Sequence, residues 1–281
     1  MGLFSRNFNR PGPGVPKDTP RKKGGARFVE LLFRDMGDLA KLNILFTLCI
    51  LPTTLMFFGG PAIFGFEGFI FTFLLSLILA FPVGGALVAY VYYITKMMRD
   101  DPSYVWFEFK RKFLENYKQS ALTGILCTAF IYTQIILWAE MIAGGAGGDI
   151  IWFLIALLSI LIFGMITPYI FLHFAYVDLG AFRIIKNSVL MSFGYLPRSF
   201  MGALQGGLIW IAFVLFLPLS LIFLPVLAFF AVSVSILLCM MWIWSPFDKY
   251  FKVEETLTER MEETDEVKED SDRKTENETS S

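Results

Sequence analysis

Few ionisable side chains lie within or beside the long apolar runs of this sequence, and they bound the chemistry the chain can do. His173 is the single histidine among 281 residues, and it stands near the end of the uncharged run 150–177, shortly before Asp178. An imidazole beside a carboxylate titrates near neutral pH and can pass a proton on. Glu140 closes another run, beside Trp138 and one to two helical turns from Gln134. Proton-driven transport places such groups mid-membrane. Both lie toward the ends of their runs instead. A packed histidine and an interfacial glutamate are the plainer readings, and a titrating switch is the sharper one.

Other chemistries have less support. One histidine excludes a multi-histidine metal site, and no CxxC, HExxH, GxSxG or Walker-type string occurs. No catalytic residue, metal or cofactor is expected, and the chain is not read as an enzyme. Cys49, Cys127 and Cys239 each sit inside an apolar run and read as small buried hydrophobes. A net charge of −1 gives no sign of a nucleic-acid partner, and none is expected.

Backbone chemistry is more evident. Pro52, Pro82, Pro168 and Pro218 fall within apolar runs, where each frees a carbonyl and kinks a helix. Pro82-Val83-Gly84-Gly85-Ala86 is the strongest interruption, because Gly84 and Gly85 permit close helix contact after the kink. Gly202 and Gly206 form a second small-residue pair.

The elements that position these residues follow from composition. The chain is 56% hydrophobic and 17% charged, with a mean hydropathy of +0.60. A soluble domain averages about 25% charged. Uncharged runs cover 42–66, 68–95, 119–139, 150–177 and 199–247. A bilayer core of about 30 Å takes about 20 helical residues. Four runs span once, and the last holds two spans with Pro225 at the hairpin. The expectation is an all-α polytopic membrane protein with six transmembrane helices, at about 42–62, 69–95, 119–141, 150–177, 201–222 and 226–246, within a membrane domain 26–247.

Orientation follows from cations. All 24 Lys and Arg fall in the N-terminal segment through Lys41, the 96–118 and 178–198 loops and the C-terminal tail, while the remaining loops hold only Glu67, Glu140 and Asp149. Both ends are therefore expected in the cytoplasm. Residues 1–25 read as a flexible basic arm rich in Pro and Gly, and 248–281 as a disordered acidic tail. No cleavable signal is read at the start.

Three inner segments carry helical period. In 26–41, Phe28, Leu31, Leu32, Met36 and Leu39 share a face. In 103–118, Trp106, Phe109, Phe113 and Tyr117 step by three and four beside Lys110, Arg111 and Lys112. In 182–193, Phe182, Ile185, Val189 and Phe193 do the same beside Arg183 and Lys186. Such cytoplasmic amphipathic helices either anchor on the inner leaflet or dock a cytoplasmic partner. The strings Lys118-Gln119-Ser120-Ala121-Leu122 and Lys186-Asn187-Ser188-Val189-Leu190 match in character and hint at a duplicated unit.

Several of these strings also carry a likeness. Phe8-Asn9-Arg10-Pro11-Gly12-Pro13-Gly14-Val15, Pro82-Val83-Gly84-Gly85-Ala86, Asp101-Pro102-Ser103-Tyr104-Val105-Trp106, Asn116-Tyr117-Lys118-Gln119 and Arg183-Ile184-Ile185-Lys186-Asn187-Ser188 resemble the YesL-like family of bacterial integral membrane proteins, a domain of unknown function. The likeness runs from about residue 7 to 250. It implies the plasma membrane of a bacterium and an association with carbohydrate uptake, without any family catalytic residue. Two functions compete. One is a non-enzymatic accessory or scaffold component working with a carbohydrate transporter. The other is a transporter or permease subunit for a sugar or oligosaccharide. ATP-driven importer permeases carry a cytoplasmic Gly followed twelve residues later by Leu-Pro. Here Gly180 precedes Leu196-Pro197 by a longer gap, with no Glu-Ala-Ala string before it, which favours the first.

Overall fold

A computed structural model describes residues 22–101, 103–142, 150–177, 179–215 and 224–259. Among these the chain is 92% helical and has no strand. In order the helices are α1 (Gly24–Arg34), α2 (Met36–Phe64), α3 (Phe69–Leu79), α4 (Val83–Met98), α5 (Val105–Ile142), α6 (Ile150–Tyr176), α7 (Ala181–Gly194), α8 (Leu196–Leu215) and α9 (Leu224–Phe251). One short 3-10 turn, Phe66–Gly68, joins α2 to α3.

Four helices are long and apolar enough to cross a membrane: Met36–Phe64, Val105–Met141, Ile150–Tyr176 and Phe230–Phe251. The pair α3 and α4 makes a fifth crossing if taken as one span bent by 46°. The break falls at Pro82, where the sequence puts its strongest interruption. Pro82 has no N–H, and α4 restarts with Ala86 N–H donating to the Pro82 carbonyl. The fifth expected span, 201–222, begins in α8, and its part beyond Leu215 lies outside the described residues.

Burial is arranged as lipid requires. Ile63, Ile70, Ile78, Ile150 and Leu55 are exposed, while Asn43, Thr53, Ser76, Thr95 and Ser233 are buried. A soluble protein does not leave so much large apolar surface in water. In a bilayer that surface costs nothing, and the polar side chains turn inward to bond one another.

The core centres on α4. From Val83 to Thr95 nearly every residue is buried, and α4 packs against α2, α5, α6 and α9. Its closest neighbour is α5. A Cβ on Gly84 would fall onto the Ser120 carbonyl, and one on Gly124 onto the Gly84 backbone. A Cβ on Gly85 would stand 2.9 Å from the Tyr117 Cα. Gly84 and Gly85 are thus packing residues whose missing side chains let two backbones touch.

The three amphipathic segments depart from expectation. The 26–41 stretch is not one helix. It breaks at Asp35, and 36–41 runs on into the first crossing as part of α2. Likewise 103–118 does not lie apart from the third span, because α5 is continuous from Val105 to Ile142. Its aromatic stripe divides: Trp106 is 65% exposed and Phe109 only 5%. Phe109, Phe113 and Tyr117 stack in a ladder with centroids 6.3 and 6.1 Å apart. Phe113 and Tyr117 pack against Gly85 of α4, which supplies more apolar contact than a headgroup layer would. In α7 the buried face is Ile184, Ser188 and Met191, and Phe182 and Phe193 point outward. Residues 248–259, assigned from composition to the unfolded tail, continue α9 to Phe251 and then form a helical stretch over 253–259. Val253 is buried, Trp244 Nε1 donates to Glu254, and Glu254 N–H donates to Asp248 Oδ1 at 2.8 Å.

Candidate functional site

The densest polar chemistry gathers where α4 ends. The helix closes in a six-to-one and five-to-two pattern, with Asp101 N–H on the Lys96 carbonyl and Asp100 N–H on the Met97 carbonyl. Such a closure needs one residue in the left-handed region. That position is normally glycine, but here it is Asp100, at φ +65°. Its carboxylate explains the choice. Arg27 Nη2 donates to Asp100 Oδ2 at 2.6 Å, and Arg34 Nη1 donates to Oδ1 at 2.5 Å. Arg27 and Arg34 stand seven residues apart on α1, two turns along one face. The loop and the strap helix are thereby bolted together.

Partial burial pushes the Asp100 carboxyl up, but hydrogen bonds and charge from Arg34 and Arg27 outweigh that and hold it below the usual carboxylate range. The hydrogen bond to Asp35 does most to raise Arg34, and Asp100 adds to it. Arg27 is 9% exposed although it is a cation. It has Glu30 at 3.2 Å and the Met98 carbonyl at 3.1 Å besides Asp100. A buried guanidinium is tolerable only when so fully bonded.

Neighbouring pairs extend the cluster. Lys96 meets Glu108 at 2.7 Å, and Arg111 meets the same carboxylate. Arg99 pairs with Asp101, donates to the Tyr176 hydroxyl at 3.0 Å, and lies over the Trp244 ring at 5.3 Å. Tyr93 donates to Asp38. These contacts tie α1, α2, α4, α5, α6 and α9 at one end of the bundle.

Mid-bundle polar groups also close on themselves. Ser233 Oγ donates to the Leu39 carbonyl at 2.8 Å and lies 2.5 Å from the Tyr90 hydroxyl, which also donates to Asn43 at 3.2 Å. Thr53 donates to the Ser76 carbonyl and lies 2.9 Å from the Tyr132 hydroxyl, whose ring stacks on Phe57.

The residues singled out by sequence are not brought together. His173 is fully buried near the C-terminal end of α6. Its Nδ1 is 2.7 Å from the Tyr169 carbonyl, which can only accept, so Nδ1 carries the proton. Ser188 Oγ lies 3.0 Å from the same nitrogen. Nε2 has no hydrogen-bond partner among the described residues, and the ring meets Phe247 and Phe251 edge to face at 5.2 and 5.1 Å. Asp178, expected as a partner, lies outside the described residues. Glu140 is exposed near the C-terminal end of α5. The buried polar group beside it is Gln134, which donates to Ser159 at 2.9 Å. Pro82, Gly84 and Gly85 shape the α4–α5 contact, and Trp106 projects outward beside exposed Tyr104 and Phe107. Among the described residues no cluster of His, Cys, Asp or Glu has a geometry that would hold a metal ion.

Sequence reading missed the arginine clamp. Its signals were Arg99-Asp100-Asp101 at a helix end and Arg27 and Arg34 on one face, but nothing local links them. Comparison of the chain with known protein families, with curated proteins and with solved structures finds no match in any of the three.

Proposed function

We propose that this chain is a non-enzymatic accessory or scaffold component of a bacterial plasma membrane, with six spans, both ends cytoplasmic, working beside a carbohydrate transporter as the YesL-like resemblance implies. The bilayer is its first partner and components of that transporter the second. One observation carries the reading. At the cytoplasmic end, by the charge rule, the fold is locked by ion pairs, yet Tyr104, Trp106 and Phe107 at the start of α5 and Phe182 and Phe193 on α7 are left exposed. Lys110, Arg183 and Lys186 are exposed with them. Aromatic side chains on a rigid base are what a protein-binding surface uses. The permease reading has less to draw on, since the buried polar clusters at Tyr90 and Thr53 bind helices to one another.

The test is a photocrosslinking residue at Trp106 or Phe182 in living cells grown on different sugars. Crosslinks to a sugar-transporter subunit, lost when the neighbouring Phe107 or Phe193 is changed to Ala, support the proposal. Crosslinks to lipid alone would overturn it.

A further inference from the structure

We infer that a cavity between α1, α4 and α9 is a binding site for one anionic phospholipid of the inner leaflet. The cavity measures about 200 Å³ and is lined by Lys22, Lys23 and Arg27 together with Leu31, Met98 and Met241. Three cations and three apolar side chains share one concavity, and no carboxylate lines it. Arg27 is already neutralised by Glu30 and Asp100. Lys22 and Lys23 are exposed, and no carboxylate lines the concavity beside them. Two exposed lysines therefore border a concavity that also holds Met98 and Met241.

That combination selects the ligand. A free phosphate would leave the half-buried Met98 and Met241 uncovered, and a neutral lipid would leave the lysines uncompensated. A phospholipid with net negative charge satisfies both, its phosphate at the lysines and its glycerol and upper acyl carbons on the methionines. The location agrees. Lys22 and Lys23 precede α1, while Met98 ends α4 and Met241 lies midway along the apolar helix segment Phe230–Phe251. Methionine adapts its shape to irregular apolar groups. The site is separate from the exposed aromatics at Tyr104–Phe107 and does not depend on any protein partner.

The experiment uses the full chain in a mild detergent, titrated with phosphatidylglycerol and followed by native mass spectrometry. Phosphatidylcholine and glycerol 3-phosphate serve as separate arms. One phosphatidylglycerol should be retained in preference to phosphatidylcholine, and glycerol 3-phosphate should neither bind nor compete. Lys22→Gln with Lys23→Gln should weaken retention by about thirtyfold. Met241→Trp, which fills the cavity and keeps every charge, should weaken it comparably. Lys186→Gln with Arg183→Gln, the same charge loss elsewhere, should not. Equal retention of phosphatidylcholine would overturn the assignment. So would binding of glycerol 3-phosphate at similar affinity, or an equal loss in the Lys186 and Arg183 control. Wild-type retention by the Lys22 and Lys23 variant, whose two exposed side chains are not part of the core, would overturn it as well.

Discussion

Arg27 and Asp100 are 73 positions apart, yet the Arg27 guanidinium reaches the Asp100 carboxylate at 2.6 Å, and Arg34 grips the other carboxylate oxygen of the same residue. One left-handed aspartate thus closes α4 and anchors the strap helix α1.

Asp100→Asn should release that strap. Asn keeps the left-handed backbone at little cost and removes only the charge. We expect a loss of about 1 kcal/mol and faster trypsin cleavage within 22–34 in inverted vesicles. The pH dependence has a definite sign. The folded carboxyl titrates below its unfolded value, so the contribution is complete above about pH 4 and is lost as pH falls through the folded pKa. Thermal melts from pH 7 to pH 3 should show an acid-side drop in wild type that is smaller in Asp100→Asn. Identical profiles would remove the clamp from the account.

The α4–α5 crossing leaves no room for a methyl group. Gly84→Ala and Gly124→Ala should each cost more than about 3 kcal/mol, because the added atom meets backbone rather than a movable side chain. Gly207→Ala, with nothing within 4 Å of the new atom, should be neutral or mildly stabilising. Melting temperatures in detergent decide the matter, and equal effects at Gly84 and Gly207 would refute the close crossing.

Trp106 and Phe109 share a stripe in sequence but not a role in the fold. Phe109→Ala should cost about 3–5 kcal/mol, and Trp106→Ala should stay within about 0.5 kcal/mol. Chemical denaturation of the two variants in one detergent gives the comparison, with similar losses counting against the division.

Orientation is open to direct labelling. With Cys49, Cys127 and Cys239 replaced, a cysteine at Glu67 should react with a membrane-impermeant maleimide on intact cells, and one at Lys186 should react only after permeabilisation. Equal labelling would end the six-span arrangement.

Coupled transport is not expected of the isolated chain. In liposomes with an imposed pH or sodium gradient, it should not concentrate labelled mono- or oligosaccharides. Glu140 is exposed near the C-terminal end of α5, and His173 Nδ1 is committed to the Tyr169 carbonyl, so neither is poised to alternate between two faces. Gradient-dependent accumulation would prove this wrong, and its loss in Glu140→Gln or His173→Ala would identify the coupling group.

The sequence by itself determined the helical class, four of the long apolar helices and the break at Pro82. Each rests on a local property: absence of charge over a bilayer's thickness, or a residue with no N–H to donate. It also marked Gly84 and Gly85 as places of close approach. Only the tertiary structure decided what approached them, namely Ser120, Tyr117 and Gly124 of α5. Only it split the aromatic stripe between Phe109 inside and Trp106 outside, because helical period names a face without saying what covers it. The clamp of Arg27 and Arg34 on Asp100 was equally out of reach, since charges far apart in sequence become partners only once the intervening helices have packed.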